Sequence, residues 1–403
     1  MKNVKVPDLW LLVLIVGLPQ LSETIYTPAL PDIAHSLLTS DSMVEYTLTI
    51  YLLGFALGTL FWGKLSDKYG RKPSLIAGLL IYVLGCIGCF YSGTISYLMM
   101  SRLIQAFGGS TGSVLGQAIC RDSFNGPERG KVFSVIGSAL SFSPAVGPIV
   151  GGLIDQAFGW SAIFICLICL GLATLATVMF RLPETYVPTV FSLDTIKKTF
   201  LSMINDKKVL AFGFLVAACN GIGFSYYAEG SFYLINILGL SPALYGSSFI
   251  LLALAGMIGG YISKTLHDFN MLSFDILTKG NKVVFFGALL FLIGTLVFYN
   301  LHLAPLFFIC LTLASMSVIM TGIGIMIPNI LSLALEGYRG AIGTASSLFG
   351  FYYYLLISLF TLIMGLLHNN TLFPMPVYFL GIALSMIFTC RFLEGNRILS
   401  DLR

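Results

Sequence analysis

The chain has 403 residues; 57% are hydrophobic, only 10% are charged, and the mean hydropathy is +0.91. A soluble domain carries about 25% charged residues, so this composition excludes a water-exposed globule and leaves no room for an appended soluble enzyme. The formal net charge of +4 is no sign of nucleic-acid binding, because the charges follow a membrane topology.

A bilayer span needs about 20 largely apolar residues. Twelve such stretches are predicted, at 9–34, 43–63, 74–92, 95–120, 130–155, 161–180, 209–237, 243–264, 282–299, 304–332, 340–366 and 374–393. Lys2 and Lys5 precede the first. No small-x-small cleavage site follows, and the run continues past Pro19, so it reads as a span and not as a removed leader. The longest polar stretch, 181–208, divides the spans six and six. The predicted organisation is therefore an all-α membrane protein with an N-terminal six-helix half (1–180), a cytoplasmic linker (181–208) and a C-terminal six-helix half (209–403). If the spans alternate, 21 of the 22 Lys and Arg fall on one side. The positive-inside rule then puts both termini in the cytoplasm. The exception, Arg102, lies inside the fourth span. There it costs at least about 2.5–3.5 kcal/mol unless it faces a cavity or a counter-charge.

The spans carry few acids. Only Glu23 and Glu229 lie well inside them. Gln20, Glu23 and Thr27 are placed on one face of the first span. Ser225, Tyr226, Glu229, Phe232 and Tyr233 are placed on one face of the seventh. A buried carboxyl near an arginine is balanced between desolvation and attraction, and such a group can load and release a proton in each cycle. Two readings stay open for Glu23: that proton carrier, or a permanent ion pair with Arg102. Glu229 is either a second proton carrier or an acid serving substrate charge. Tyr26, Tyr51, Phe55, Tyr226, Tyr227, Phe232, Tyr233 and Tyr352 through Tyr354 are candidates to line an apolar pocket, with packing or lipid contact the alternative for each. His35, His267, His302 and His368 fall near span ends, where an interfacial position is expected. Cys86/Cys89 and Cys166/Cys169 have CxxC spacing, but inside apolar spans, where buried small hydrophobes are expected. No phosphate loop, nucleophile–base pairing or His/Cys metal cluster is evident. No enzyme activity, metal or cofactor is therefore expected.

Three segments carry short motifs. Residues 63–73 read GKLSDKYGRKP. Gly63 lets helix ends approach and Gly70 permits a tight turn, while Asp67 and Arg71 can pair charges across a short loop. In span four, RLIQAFGG (102–109) sets Arg102, Gln105, Gly109, Gly112 and Gly116 on one stripe. In span five, SPAVGPIVGG (143–152) offers Gly147, Gly151 and Gly152 for close packing, and Pro144 and Pro148 for bending.

These segments resemble those of the major facilitator superfamily. The 63–73 loop resembles the superfamily's G-x-L-x-D-x-x-G-R-[KR] element. By that resemblance it latches the two halves, with Gly63, Asp67, Gly70 and Arg71 in the latch and Arg121 a partner for Asp67. Span four is similar to the R-x-x-Q-G-x-G element, with Ala106 replacing one glycine. Span five is similar to the antiporter signature G-x-x-x-G-P-x-x-G-G, with Ser143 at the first glycine; Gly147, Pro148, Gly151 and Gly152 match it. The opening LPQLSETIYTPALPDIA (18–34) resembles the first helix of drug:proton antiporters of the bicyclomycin/chloramphenicol-resistance type. Members often carry an aspartate at the position of Thr24, whereas here the acid is Glu23.

The resemblance implies a fold of two six-helix halves related by a pseudo-two-fold, with spans one, four, seven and ten lining a central cavity. It implies proton-coupled efflux of small amphipathic or cationic compounds across a bacterial inner membrane by alternating access, driven by the proton gradient without a cofactor, as a monomer. Glu23, Arg102 and Glu229 are the proton-coupling candidates. Gln20, Tyr26, Thr27, Gln105, Tyr226, Tyr227, Phe232 and Tyr233 are the cavity candidates. Dedicated export of a natural product such as a siderophore, and nutrient uptake, are the alternatives.

Overall fold

The computed structural model describes residues 6–124, 126–185 and 193–401. Among them every regular element is helical. In chain order they are α1 (Leu9–Thr24), α2 (Leu30–Ser36), α3 (Asp41–Tyr69), α4 (Arg71–Phe90), α5 (Ile95–Ser123), α6 (Gly126–Phe158), α7 (Ser161–Arg181), α8 (Leu193–Asn205), α9 (Lys207–Ser231), α10 (Pro242–Asp268), α11 (Ser273–Leu301), α12 (Pro305–Ala334), α13 (Ile342–Leu367) and α14 (Pro374–Asp401). Short turns of 3-10 or π helix join some of them.

Eleven spans among the described residues are long and apolar enough to cross a membrane. The remaining long helix is α5, the predicted fourth span. It has 29 residues but is rich in Gly, Ser and Thr and carries Arg102 and Gln105. Its composition suits the position it occupies, against α1, α3 and α4. The predicted linker contains α8, a helix with Phe200, Leu201 and Ile204 exposed beside Lys197 and Lys198. Residues 186–192 of that linker lie outside the described residues.

The chain forms two compact units: Met1–Asp194 with Ser241–Ser247, and Thr195–Leu240 with Ser248–Arg403. In the first, α5 packs against α3, α4 and α1, α4 against α7, and α1 against α6. In the second, α9 packs against α12, α13 and α14, and α11 against α12 and α14.

The first span is broken, and its sequence says why. Pro28 has no N–H to give the Thr24 carbonyl. The hydroxyl of Thr27 donates to that carbonyl instead, at 2.8 Å. Helix α1 ends at Thr24, Thr27–Ala29 form one 3-10 turn, and α2 resumes. Thr27 therefore leaves the predicted stripe with Gln20 and Glu23, and its hydroxyl is taken up by the backbone.

The glycines of α6 meet this break. A Cβ on Gly147 would strike the Thr24 side chain, and one on Gly151 would strike the Ile25 carbonyl. Gly152 sits against Pro242, a residue of the same unit. Backbone carbonyls cannot step aside, so the α6 stripe is a steric requirement. We expect Gly151→Leu to cost about 1–3 kcal/mol of stability by overpacking. Thermal unfolding of the detergent-purified protein should drop by several degrees, with expression in the membrane retained. A wild-type melting temperature would mean that α6 does not approach Ile25 this closely.

Candidate functional site

The buried polar core of the first unit is built on α5. Arg102 and Gln105, one turn apart, are each 0% exposed. The Arg102 guanidinium lies between two aromatic faces, with Cζ 3.9 Å from the ring centre of Tyr26 and 4.1 Å from that of Tyr51. One terminal nitrogen donates to Gln105 Oε1 at 2.6 Å. Nε and the other terminal nitrogen have no hydrogen-bond partner. Cation–π contacts strengthen to about 2 kcal/mol or more when desolvated, so two faces and a charge-assisted hydrogen bond hold the cation.

Polar contacts extend outward from Gln105. Its Nε2 donates to Ser22 Oγ at 3.2 Å and to Cys86 Sγ at 3.1 Å. Tyr82 donates its hydroxyl to Ser22 Oγ at 3.3 Å. The hydroxyls of Tyr26 and Thr47 lie 2.9 Å apart, and Tyr51 donates to the Pro19 carbonyl at 3.4 Å. Cys86 and Cys89 are free and buried, as their apolar setting implied, but both also lie against the Gln105 amide.

Glu23 is 2% exposed, in the last turn of α1. It lies within the field of Arg102 yet makes no ion pair with it. Its Oε1 has no hydrogen-bond partner. The permanent-ion-pair reading is thereby set aside. Gln20 is half-buried one turn earlier. The glycines of the α5 stripe carry the packing: Gly112 lies against the Ile15 carbonyl, which Pro19 leaves without a donor, and Gly116 lies against Val16.

The second unit holds the other buried acid. Glu229, 1% exposed, has Oε2 2.8 Å from His368 Nδ1. His368 Nε2 is 3.1 Å from Asn370 Oδ1. Phe232 meets the imidazole edge-on at 5.6 Å, and the Tyr233 hydroxyl donates to the Leu372 carbonyl. The predicted face of span seven is thus divided. Glu229, Phe232 and Tyr233 hold the connection after α13, while Tyr226 and Tyr227 pack on Phe249, at 5.7 and 5.2 Å. His368 directly follows α13, near a span end as expected, and its side chain is turned inward, 5% exposed.

The 63–73 motif is helical nearly throughout. Helix α3 runs to Tyr69 and α4 starts at Arg71, so Gly70 alone makes the turn, at φ 100°. That backbone suits only glycine, and a Cβ there would also meet Glu184. Gly63 lies within α3, its carbonyl accepting from Ser66 Oγ at 2.9 Å. Arg71 bridges Asp67 at 2.6 Å and Asp122 at 2.8 Å, tying the motif to the end of α5. Arg121 is the neighbour of Asp122 on that helix and is half-buried. Glu184 caps α4, accepting from the backbone N–H of Arg71 and of Lys72 at 3.0 and 3.1 Å; a carboxylate is favoured at a helix N-terminus.

No local pattern marks Ser22, Thr47, Tyr82, Asp122 or Glu184, and the sequence gives His368 only a position near a span end. Nor does it mark Glu45, which is 1% exposed near the start of α3. The one available signal was electrostatic: an acid inside a span needs a partner, and histidine is a candidate.

The chain belongs to the Major Facilitator Superfamily, whose model matches residues 12–361. The protein is a multi-pass membrane transporter of this superfamily. It is 34% identical to an uncharacterized transporter of Rickettsia bellii (strain RML369-C), over 94% of this chain and 95% of that one. It is 29% identical to the chloramphenicol resistance protein of Pseudomonas aeruginosa, over 91% of this chain and 85% of that protein. A solved D-xylose-proton symporter shares the fold, with a TM-score of 0.75 at 15% identity over 94% of this chain and 96% of that one.

The aromatic clamp has a testable consequence. Arg102→Lys keeps the charge but loses the planar fork that lies flat between rings while bonding Gln105. Its melting temperature should fall by several degrees. Tyr51→Phe keeps the ring face and loses only the hydroxyl bond to Pro19, worth about 1 kcal/mol. Equal effects of the two substitutions would mean that the clamp does not hold the cation.

Proposed function

We propose that the protein is a proton-coupled exporter of small amphipathic or cationic compounds, working by alternating access of its two six-helix halves. The observation that carries this reading is the pair of unpaired groups in one buried core. Glu23 has an oxygen without a partner, and Arg102 has nitrogens without one, although the two are close enough to interact. An isolated carboxylate is very costly to bury, and the neutral acid is far less so. Glu23 is therefore read as the proton carrier, held neutral while Tyr26, Tyr51 and Gln105 occupy Arg102. Loss of the proton would leave a charge that Arg102 can answer, at the cost of leaving its clamp. That exchange links proton release to rearrangement of α1 and α5.

Efflux, as opposed to uptake, is favoured by the resemblance of 143–152 to the antiporter signature, and by likeness to a chloramphenicol resistance protein. The setting proposed is a bacterial inner membrane, with both termini cytoplasmic, the carrier acting as a monomer and the proton gradient as its energy source. Gln20, Tyr26, Gln105, Tyr226 and Tyr227 are proposed to meet substrate. Asp67, Gly70 and Arg71 are proposed to latch one state.

Transport of a lipophilic cation such as tetraphenylphosphonium into inside-out vesicles tests this. Glu23→Gln mimics a permanently protonated carrier. It should abolish proton-driven uptake into the vesicles while leaving the cation able to bind. Proton-driven transport that survives in Glu23→Gln and is lost in Glu229→Gln would move the coupling role to Glu229.

A further inference from the structure

Helix α8 lies outside the spans, and its larger apolar face is uncovered. It has 13 residues, and a helix of that length is marginal in water unless an apolar face is packed. Thr199 and Met203, one turn apart, are turned into the protein, 7% and 6% exposed. Phe200, Leu201 and Ile204 are 43%, 50% and 48% exposed. At about 100° per residue, Met203, Phe200, Ile204 and Leu201 follow one another around the helix. Lys197 alone interrupts them, and the stem of a lysine can run along such a face with its ammonium outside. Lys198, Ser202 and Asn205 take the other side, all exposed.

The chain holds this helix at the membrane face. Asp206, in an extended conformation, separates α8 from α9, and its Oδ1 accepts from the N–H of Lys208 and of Val209 at 3.0 and 3.3 Å. Helix α9 belongs to a membrane span that starts at Lys207, so α8 ends one residue short of it. Tyr338, at the end of the α12 span, donates its hydroxyl to Asp206 Oδ2 at 3.2 Å, which leaves Ser202 the donor to the Tyr338 oxygen, also at 3.2 Å. Two span ends of the second unit thus fix α8 beside the bilayer. In 195–208, Lys197, Lys198, Lys207 and Lys208 stand against one acid, Asp206. All four lysines are exposed, whereas Asp206 is engaged at the start of α9.

We propose that α8 docks flat into the leaflet on the membrane face that carries the basic residues, as a binding surface for anionic phospholipid. Phe200, Leu201 and Ile204 enter the boundary between headgroups and acyl chains, and Lys197 and Lys198 meet the phosphates. An adjacent leaflet offers both the apolar depth and the negative charge that this helix presents. The lipid then completes a helix that the protein itself packs through few side chains, and it steadies the start of α9. The inference needs neither the direction of transport nor the identity of the coupling acid.

Amide hydrogen exchange of the peptide covering 196–206 tests it, because an undocked α8 loses its helix. The full chain is placed in nanodiscs of phosphatidylcholine alone or mixed with phosphatidylglycerol, at one pH and low salt. Exchange should be several-fold slower with phosphatidylglycerol, since each lysine at an anionic surface tightens association about fivefold. Salt at about 1 M, where the Debye length is about 3 Å, should remove the difference. Lys197→Gln with Lys198→Gln should keep the phosphatidylcholine rate and lose most of the gain. Leu201→Gln with Ile204→Gln, which preserves helix propensity, should speed exchange in both nanodiscs and leave peptides of α11 unchanged. Equal wild-type exchange in the two lipids would overturn the inference, as would a phosphatidylglycerol gain that survives in the double lysine variant. Protection unaffected by Leu201→Gln with Ile204→Gln would also overturn it, by showing that lipid does not cover the apolar face. Failure of the proposed transport function would leave these outcomes unchanged.

Discussion

A guanidinium buried among apolar helices is the constraint on which the first unit's site depends. Arg102 lies two turns inside α5, and an arginine at the centre of a span costs at least about 2.5–3.5 kcal/mol in hydrocarbon. Two desolvated cation–π contacts, at about 2 kcal/mol or more each, and a charged hydrogen bond of about 1.5–3 kcal/mol are of the size needed to offset that. The cation is therefore accommodated by Tyr26, Tyr51 and Gln105 without an anion. Glu23 is left beside it, unpaired. A site in which the arginine had already neutralised the acid would have nothing to exchange. Here the cation is held by groups that carry no charge.

The scaffold explains how the clamp is positioned. Tyr26 lies in the break of the first span, where Pro28 removes a hydrogen bond and Thr27 replaces it. A continuous helix would rotate Tyr26 elsewhere. The break is buttressed by α6 through glycines that abut Thr24 and Ile25. On the opposite side α5 approaches α1 closely enough that Gly112 touches the Ile15 carbonyl. Small residues on two helices thus fix a local irregularity on a third, and the irregularity carries the acid and one face of the clamp. The Arg71 bridge to Asp67 and Asp122 ties the ends of α3, α4 and α5 together at the base of the same unit.

Much of this was legible in the sequence. The spans follow from runs of about 20 apolar residues, and Arg102 stood out because topology could not account for it. The least typical span by composition, α5, is the one that carries the site, since interior helices need not be apolar all round. What stayed hidden was partnership at long range. Tyr51 was one aromatic among many, and nothing local distinguishes a ring that clamps a cation from one that packs. Glu184 and Arg71 are 113 residues apart, and Glu229 and His368 are 139 apart. No periodicity connects such residues. His368 was legible only as a residue near a span end; nothing local showed that its ring turns inward to the acid on α9.

The central claim is that Glu23 is a neutral acid in this arrangement, kept apart from Arg102 by the aromatic clamp. Infrared spectroscopy of the purified protein, without substrate, addresses it directly, because a protonated carboxyl has a carbonyl stretch separate from those of carboxylates and amides. The wild-type spectrum at neutral pH should contain such a band, and Glu23→Gln should remove it. A spectrum unchanged by Glu23→Gln in that region would mean that Glu23 is ionised beside Arg102, which would contradict the account.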